Sequence, residues 1–396
     1  MFREAPDEWT ATNLGSLIDF VNGYPFKPED WEDRGTPIIR IQNLNGSGVF
    51  NFFQGMIPAR YHVREGDLLF CWSGSRGTSF GARRWNGPLG YLNQHIFRCV
   101  VSNSLDFDYA YFLLEGMTAA IEAEAHGGGG LVHIKKSELV KFKTKIPPID
   151  EQRRIAEVLR SVDEAIATAR TALEELENAK VLCREAAVER FREHALIEVN
   201  TIIDTIDAGW SPDCETSPAS EGEWSILKTS SVVWDGYDDT ENKRLPDQLE
   251  PRPNLEVRTD DILITRAGPV ERTGVVAIVD NTAGRRMLSD KLIRIRVDRE
   301  KAVPLYVSEL LSSTLAQENF NRTKSGMAAS QTNISQTIVR TTKIPLPPLS
   351  DQQDFADEMS AIQSAIKASR HGQHHIERSK VMLRADLLSG RVRVPA

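Results

Sequence analysis

A repeat at a spacing of 200 residues constrains this chain more than any other feature: Ile146-Pro147-Pro148-Ile149-Asp150-Glu151-Gln152 recurs as Leu346-Pro347-Pro348-Leu349-Ser350-Asp351-Gln352. Downstream of the first copy, Ile155, Leu159, Val162, Ile166, Ala169, Leu173, Leu176, Lys180, Cys183 and Ala187 step alternately by four and three, and nine of the ten are apolar. Two hundred positions on stand Phe355, Met359, Ile362, Ile366, Ser369, Gln373, Ile376, Lys380, Leu383 and Leu387, of which seven are apolar. The only lysine of each series falls at the same place. A stripe of this period is too narrow to face a globular core; it is the seam of paired helices. No proline interrupts either stretch, so each predicts one long helix. The Pro-Pro pair ahead of it stops a strand and biases the preceding residue away from helix. Asp150, Glu151 and Asp351 then fall in the first turn, where the helix dipole favours negative charge.

The repeat continues upstream. Val63-Arg64-Glu65-Gly66-Asp67-Leu68-Leu69-Phe70 matches Val257-Arg258-Thr259-Asp260-Asp261-Ile262-Leu263-Ile264, each a turn entering a buried strand. Asn93 to Arg98 and Ser289 to Arg294 align as a second strand. Pro37 to Ile41 and Gly274 to Val279 read as further strands, Tyr109 to Ala125 and Leu305 to Ser313 as helices. The 396 residues are therefore two tandem halves. The expected division is a first globular domain over 1–145, a hinge and central long helix over 146–195, a second globular domain over 196–345, and a hinge and C-terminal long helix over 346–396. The fold class is α+β, two similar mixed α/β domains each followed by a long helix.

The shared register favours pairing of the two helices with each other; pairing with another subunit is the alternative. Periodicity alone leaves their relative direction open. Lys180 and Lys380 are expected to pack their stems in the seam and carry their amines to water. The stretch Ile155 to Ala187 spans about 50 Å at about 1.5 Å per residue, longer than the roughly 34–36 Å of one DNA turn.

Several function classes are excluded. With 48 Lys plus Arg against 56 Asp plus Glu, the net charge is −8, so there is no general basic coat. Cys71, Cys99, Cys183 and Cys214 show neither a disulfide framework nor zinc-ligand spacing. No apolar run approaches the roughly 18 residues of a membrane span. The opening MFREAPDEW lacks a signal-peptide core, and a cytoplasmic location is expected. No GxxxxGK[ST] motif occurs. Gly127-Gly128-Gly129-Gly130 reads as a surface loop, and Pro212-Asp213 with Glu241-Asn242-Lys243 as an acidic loop rather than a nuclease centre.

These features resemble the specificity subunit of type I restriction–modification systems, over nearly the whole chain. The resemblance rests on IPPIDEQRRIAEVLRSVDEAI and LPPLSDQQDFADEMSAIQSAI, supported by GDLLFCWSGSRG, LNQHIFRC and DDILITRAGPVERTGVVAIV. Leu131-Val132-His133-Ile134 and Gln331-Thr332-Asn333-Ile334 approach the two hinges alike. It implies that each globular domain is a target recognition domain reading half of a bipartite double-stranded DNA site. The helices would pair antiparallel, set the gap and dock two methylation subunits that modify adenine at N6. The chain itself would be non-catalytic and hold no cofactor; S-adenosylmethionine belongs to the methylation subunits, ATP and magnesium to the restriction/translocase subunits. A methyltransferase of this chemistry carries an Asp/Asn-Pro-Pro-aromatic loop, whereas Ile146 and Leu346 precede the Pro-Pro pairs here. The second helix departs from the tidiest pattern: Ser369 and Gln373 weaken the seam, Ser350 replaces an acidic residue, and His371, His374 and His375 read as a solvated flank rather than a metal site. The alternative function is a coiled-coil scaffold whose paired domains bind proteins.

No segment is strongly basic; residues 1–145, 146–195, 196–345 and 346–396 carry −1, −3, −5 and +1. Any DNA face must be local. Candidates in the first half are Arg76, Arg83 and Arg84 on glycine-flanked loops, with Lys135 and Lys136 leading a patch that continues to Lys141, Lys143 and Lys145. In the second half they are Arg266, Arg272, Arg285, Arg286 and Lys291. Arginine suits phosphate contact or bidentate reading of guanine. Gln94, Gln331 and Asn333 are candidates for adenine edges. The seam is assigned to Ile155, Leu159, Val162, Ile166, Leu173 and Leu176 with Phe355, Met359, Ile362, Ile366, Ile376 and Leu383.

Overall fold

The structure, a computed structural model, describes residues 5–127, 131–328 and 331–394. It divides into two compact units, one running to Arg170 and resuming at His371, the other Thr171–Arg370. The division falls inside the long helices because each half-helix packs on its own globular part.

In the first unit, four strands form an antiparallel sheet: β1 (Ile18–Asn22), β2 (Leu68–Cys71), β3 (Gly81–Arg84) and β4 (Ile96–Val101), in the order β1-β4-β2-β3. All four residues of β2 are buried, as its unbroken apolar run requires. Helix α1 (Phe107–Ala123) packs on this sheet; the Asp106 carboxylate caps it by accepting from the Asp108 and Tyr109 amides. Phe20, Phe70, Phe97, Tyr109 and Leu113 share the core. A smaller sheet joins Asn51–Phe53, Thr36–Ile39, Gly90–Leu92 and His62–Val63. Its Thr36–Ile39 strand lies parallel to Gly90–Leu92.

Long helix α2 is Ile149–Arg190. The second unit repeats the plan with β5 (Ile203–Ala208), β6 (Ile262–Thr265), β7 (Val276–Ile278) and β8 (Leu292–Val297), in the order β5-β8-β6-β7. Its smaller sheet again contains a parallel pair, Ser225–Leu227 beside Arg286–Met287. In place of α1 stand two helices, α3 (Pro304–Leu311) and α4 (Thr314–Thr323). The break falls at Ser312 and Ser313, whose hydroxyls donate to the carbonyls of Ser308 and Leu310 and compete with the helix ladder. Long helix α5 is Leu349–Ser389.

The two long helices pair antiparallel. In the first unit, Asp163 of α2 meets Lys380 of α5 at 2.6 Å, and Arg170 meets Glu377 at 3.7 Å. In the second, Glu177 meets Arg370 at 2.5 Å. Numbers rise along one helix as they fall along the other. Ile155, Leu159 and Leu383 pack with the first core. Phe355, Met359 and Ile362 pack with the second. Ile366 is buried, whereas Val162, Ile166, Leu173, Leu176 and Ile376 are half-buried, as a two-helix seam leaves them.

The seam lysines correct an expectation. Their amines turn to carboxylates of neighbouring helices instead of extending freely into water. Lys180 is 9% exposed and lies 3.7 Å from Glu309; Lys380 lies 3.3 Å from Glu115 as well as near Asp163. Burial alone pulls the Lys380 amine down, but Asp163 and Glu115 outweigh it and hold it above the usual lysine value.

The hinge glutamines have the same task in both units. The Gln152 Oε1 accepts from the Asp106 amide at 2.8 Å, while Nε2 donates to Ser104 O at 3.1 Å and Pro147 O at 2.9 Å. The Gln352 Oε1 accepts from the Val303 amide at 2.9 Å, while Nε2 donates to Lys301 O at 3.4 Å and Pro347 O at 2.9 Å. Each side chain ties its hinge to the start of a domain helix. The turn before β2 and β6 is also repeated. Its left-handed position is Gly66 at φ +88° in one copy and Asp260 at φ +72° in the other.

Among the described residues no helix is long and apolar enough to cross a membrane, and no His/Cys/Asp/Glu cluster has metal-site geometry. Except for Gly127, the four-glycine run lies outside the described residues.

Candidate nucleic-acid interface

Four segments of the first unit meet where β2 ends and β4 begins. The Trp72 amide donates to His95 O at 3.4 Å, and the Ile134 amide to Trp72 O at 3.0 Å. Strand Ser73–Ser75 pairs with Leu131–His133, and the Asn93 amide donates to Ile39 O at 3.0 Å. Arg40, Trp72, Gln94, His95 and His133 are thereby brought to one rim. The Arg40 guanidinium lies over the Trp31 ring, 4.6 Å from its centroid, and donates to the Asn51 Oδ1 at 2.9 Å. Partial burial, then the Arg40 charge, hold the His95 imidazole below its ordinary value.

The second unit repeats this convergence. The Arg266 amide donates to Lys291 O at 2.8 Å, the Ile334 amide donates to Arg266 O at 2.8 Å, and Ala267–Gly268 pairs with Gln331–Asn333. Arg266, Lys291 and Asn333 therefore occupy the positions of Trp72, His95 and His133. The Gln331 side chain lies outside the described residues.

The remaining sequence candidates divide by what holds them. Arg76 donates to Glu122 O at 2.9 Å and pins its exposed loop to the end of α1. Arg83 donates to Thr78 O at 3.1 Å. Arg84 pairs with Asp108 at 2.7 Å, its guanidinium 5.0 Å from the Tyr111 centroid; Arg160 shares that carboxylate at 3.0 Å. Lys135 is exposed, and Lys136 pairs with Asp19 at 2.9 Å. Arg272 and Arg285 are exposed, the latter at φ +54°. Arg286 is 6% exposed and lies 3.3 Å from Asp239, so its charge is spent inside the unit. Lys145 donates to Ala5 O at 3.2 Å from the strand Lys143–Ile146.

Arg40, Trp72 and His95 were missed by sequence reasoning, as were Lys228 and Lys243 in the second unit. A signal for two of them was present: Ile38-Ile39-Arg40 and Ile226-Leu227-Lys228 are both an aliphatic pair followed by a cation. The loop expected over Glu241-Asn242-Lys243 is corrected by the structure: Asn242–Arg244 is a strand of the smaller sheet.

Two copies of one α+β fold, each closed by half of an antiparallel helix pair, define a duplicated two-domain architecture. The family described as "Type I restriction modification DNA specificity domain" matches residues 6–178 and 232–378, and the chain belongs to it. It is a specificity subunit, the non-catalytic component of such systems. The type I restriction enzyme EcoEI specificity subunit of Escherichia coli is 38% identical over 186 residues, a match spanning 45% of this chain and 31% of that protein. The type I restriction enzyme MjaVIII specificity subunit of Methanocaldococcus jannaschii is 23% identical over 98% of this chain and 94% of its own. Among solved structures, the S subunit of a type I restriction–modification system from M. genitalium superposes with a TM-score of 0.59 at 15% identity, covering 98% of this chain and 97% of that one. A chain from a structure of type I restriction–modification complex assembly gives 0.58 at 16% identity, covering 98% and 99%. These two likenesses establish the fold.

Proposed function

We propose that the globular part of each unit is a target recognition domain that reads one half of a bipartite double-stranded DNA site. The boundaries are those expected from the sequence, 1–145 and 196–345. Helices α2 and α5 set the unread gap and dock two adenine-N6 methylation subunits. Those subunits carry S-adenosylmethionine; restriction/translocase subunits, where they join, carry ATP and magnesium. The assembly acts in the cytoplasm. The observation that carries this reading is the doubled domain–hinge–helix unit with its antiparallel seam. The rims around Arg76, Gln94 and Lys135 in the first unit, and around Arg266, Arg272, Lys291 and Asn333 in the second, are the DNA-facing surfaces.

The gap gives a direct test. Adding one heptad to both long helices at their middles lengthens the pair by about 10 Å at about 1.5 Å per residue. With base pairs about 3.4 Å apart along the duplex, the gap should grow by about one to three base pairs while both half-sites keep their bases. Mapping methylated adenines in cells carrying the lengthened chain reads this out. An altered half-site with an unchanged gap contradicts the ruler role.

A further inference from the structure

The smaller sheets place four side chains of each unit in matching positions. Ile38 pairs with Tyr91 on one side and Asn51 on the other; Ile226 pairs with Met287 and Lys243. Through this register Arg40, Asn51, Asn93 and His95 correspond to Lys228, Lys243, Ser289 and Lys291. The first set contains one arginine and one histidine. The second contains three lysines.

In the second unit these four residues line a single open cleft of about 350 Å³, together with Ser211 and Ser230. Lys228 has a carboxylate neighbour, Glu241, at 3.6 Å, and the Ser230 hydroxyl also donates to Glu241. The Ser211 hydroxyl bonds Asp290. Lys243 and Lys291 have no ion-pair partner among the described residues. Ser289 is 5% exposed, yet its Oγ is buried without a hydrogen-bond partner. A buried hydroxyl left unpaired calls for a partner, and beside two ammonium groups without ion-pair partners an acceptor-rich anion would supply one.

We propose that this cleft binds a phosphate group, held by Lys243 and Lys291 and accepting a hydrogen bond from the Ser289 hydroxyl. The matching position of the first unit, which has Arg40 where the second has three lysines in the set, holds phosphate more weakly. The identification of the phosphate as one from the DNA backbone rests on the function proposed above; a free phosphate satisfies the same chemistry. Lysine serves there as a point charge without reading bases.

Two measurements on the full chain test this. The first uses the complex with its methylation subunits on a duplex bearing the methylated motif. Lys243→Met with Lys291→Met should flatten the dependence of log affinity on log salt by about 1. Lys243→Arg with Lys291→Arg should restore it, and Lys343→Met, on an exposed lysine outside the cleft, should leave it unchanged. The second compares melting of the isolated chain in sodium phosphate and sodium chloride at equal ionic strength. A phosphate-specific rise in Tm for the unaltered chain should disappear in the double methionine variant. Ser289→Ala, which keeps every charge, should reduce it several-fold. A change in the salt slope identifies the DNA backbone as the source; loss of the phosphate-specific rise with an unchanged slope identifies free phosphate. If neither moves, the cleft is not a phosphate site. If the unaltered complex fails to bind the duplex at all, the DNA reading falls, and the melting comparison still decides the cleft.

Discussion

Replacing Glu309 with alanine should destabilise the second unit by about 3–5 kcal/mol, the usual loss when one partner of a buried ion pair is removed. Glu309 is 4% exposed on α3. Its Oε2 accepts from the Arg184 guanidinium at 2.7 Å, and its Oε1 accepts from the Gln363 amide at 2.8 Å, with the Lys180 amine 3.7 Å away. One carboxylate thus joins α2, α3 and α5. Without it, Arg184 and Lys180, at 7% and 9% exposure, remain as buried cations with no counter-charge. Denaturant unfolding followed by circular dichroism measures the loss. Combining Glu309→Leu with Lys180→Met and Arg184→Met should recover most of it, because removing all the charges also removes their desolvation cost. A loss below about 1 kcal/mol for Glu309→Ala would mean that water reaches the cluster. In the first unit Arg384 and Lys380 meet Glu115 at 2.6 and 3.3 Å, with side-chain exposures of 17%, 14% and 26%. Solvent screens this group more, so Glu115→Ala should cost about 1–2 kcal/mol.

The hinge glutamines should be nearly as sensitive. Gln152→Met or Gln352→Met keeps the side-chain volume but strands three backbone groups around each site. At about 1–3 kcal/mol for each buried group left unpaired, with partial relaxation, either variant should lose about 2–4 kcal/mol. The position is specific: both side chains are at most 1% exposed and use their acceptor and donor ends on different segments. Glutamate in their place would keep the acceptor for the Asp106 or Val303 amide but turn a second oxygen toward carbonyls, so it should not rescue. Amide hydrogen exchange at Asp106 and Val303 gives the local readout. It should speed up in the methionine variants, whereas unchanged protection would show that another group satisfies those amides.

How far these features can be read from sequence depends on how local their causes are. The long helices follow from a 3.5-residue stripe free of proline, a property of neighbours along the chain. The Pro-Pro-x-x-x-Gln motif is visible by repetition, but the task of its glutamine is not, because Gln152 reaches Asp106, 46 positions away. The stripe carries no direction for the helix pair; Asp163–Lys380 and Glu177–Arg370 set it. Arg84, which the glycines around it place on a loop, instead ends strand β3 and pairs with Asp108. Arg286 likewise pairs with Asp239. The seam series gives no sign of where Lys180 and Lys380 end, because their carboxylate partners lie on other helices. The lysine cleft was invisible for the converse reason: Lys228, Lys243 and Lys291 are scattered in sequence and assembled only by the smaller sheet.

The central claim, that this chain selects a split DNA site for its partners, is tested most directly by a genome-wide map of N6-methyladenine. The map compares cells carrying the methylation subunit with this chain against cells carrying the methylation subunit alone. Methylation at two short half-sites separated by a fixed unread gap, present only with this chain, is the expected result. Methylation that persists without the chain, or that falls on one continuous sequence, would contradict it.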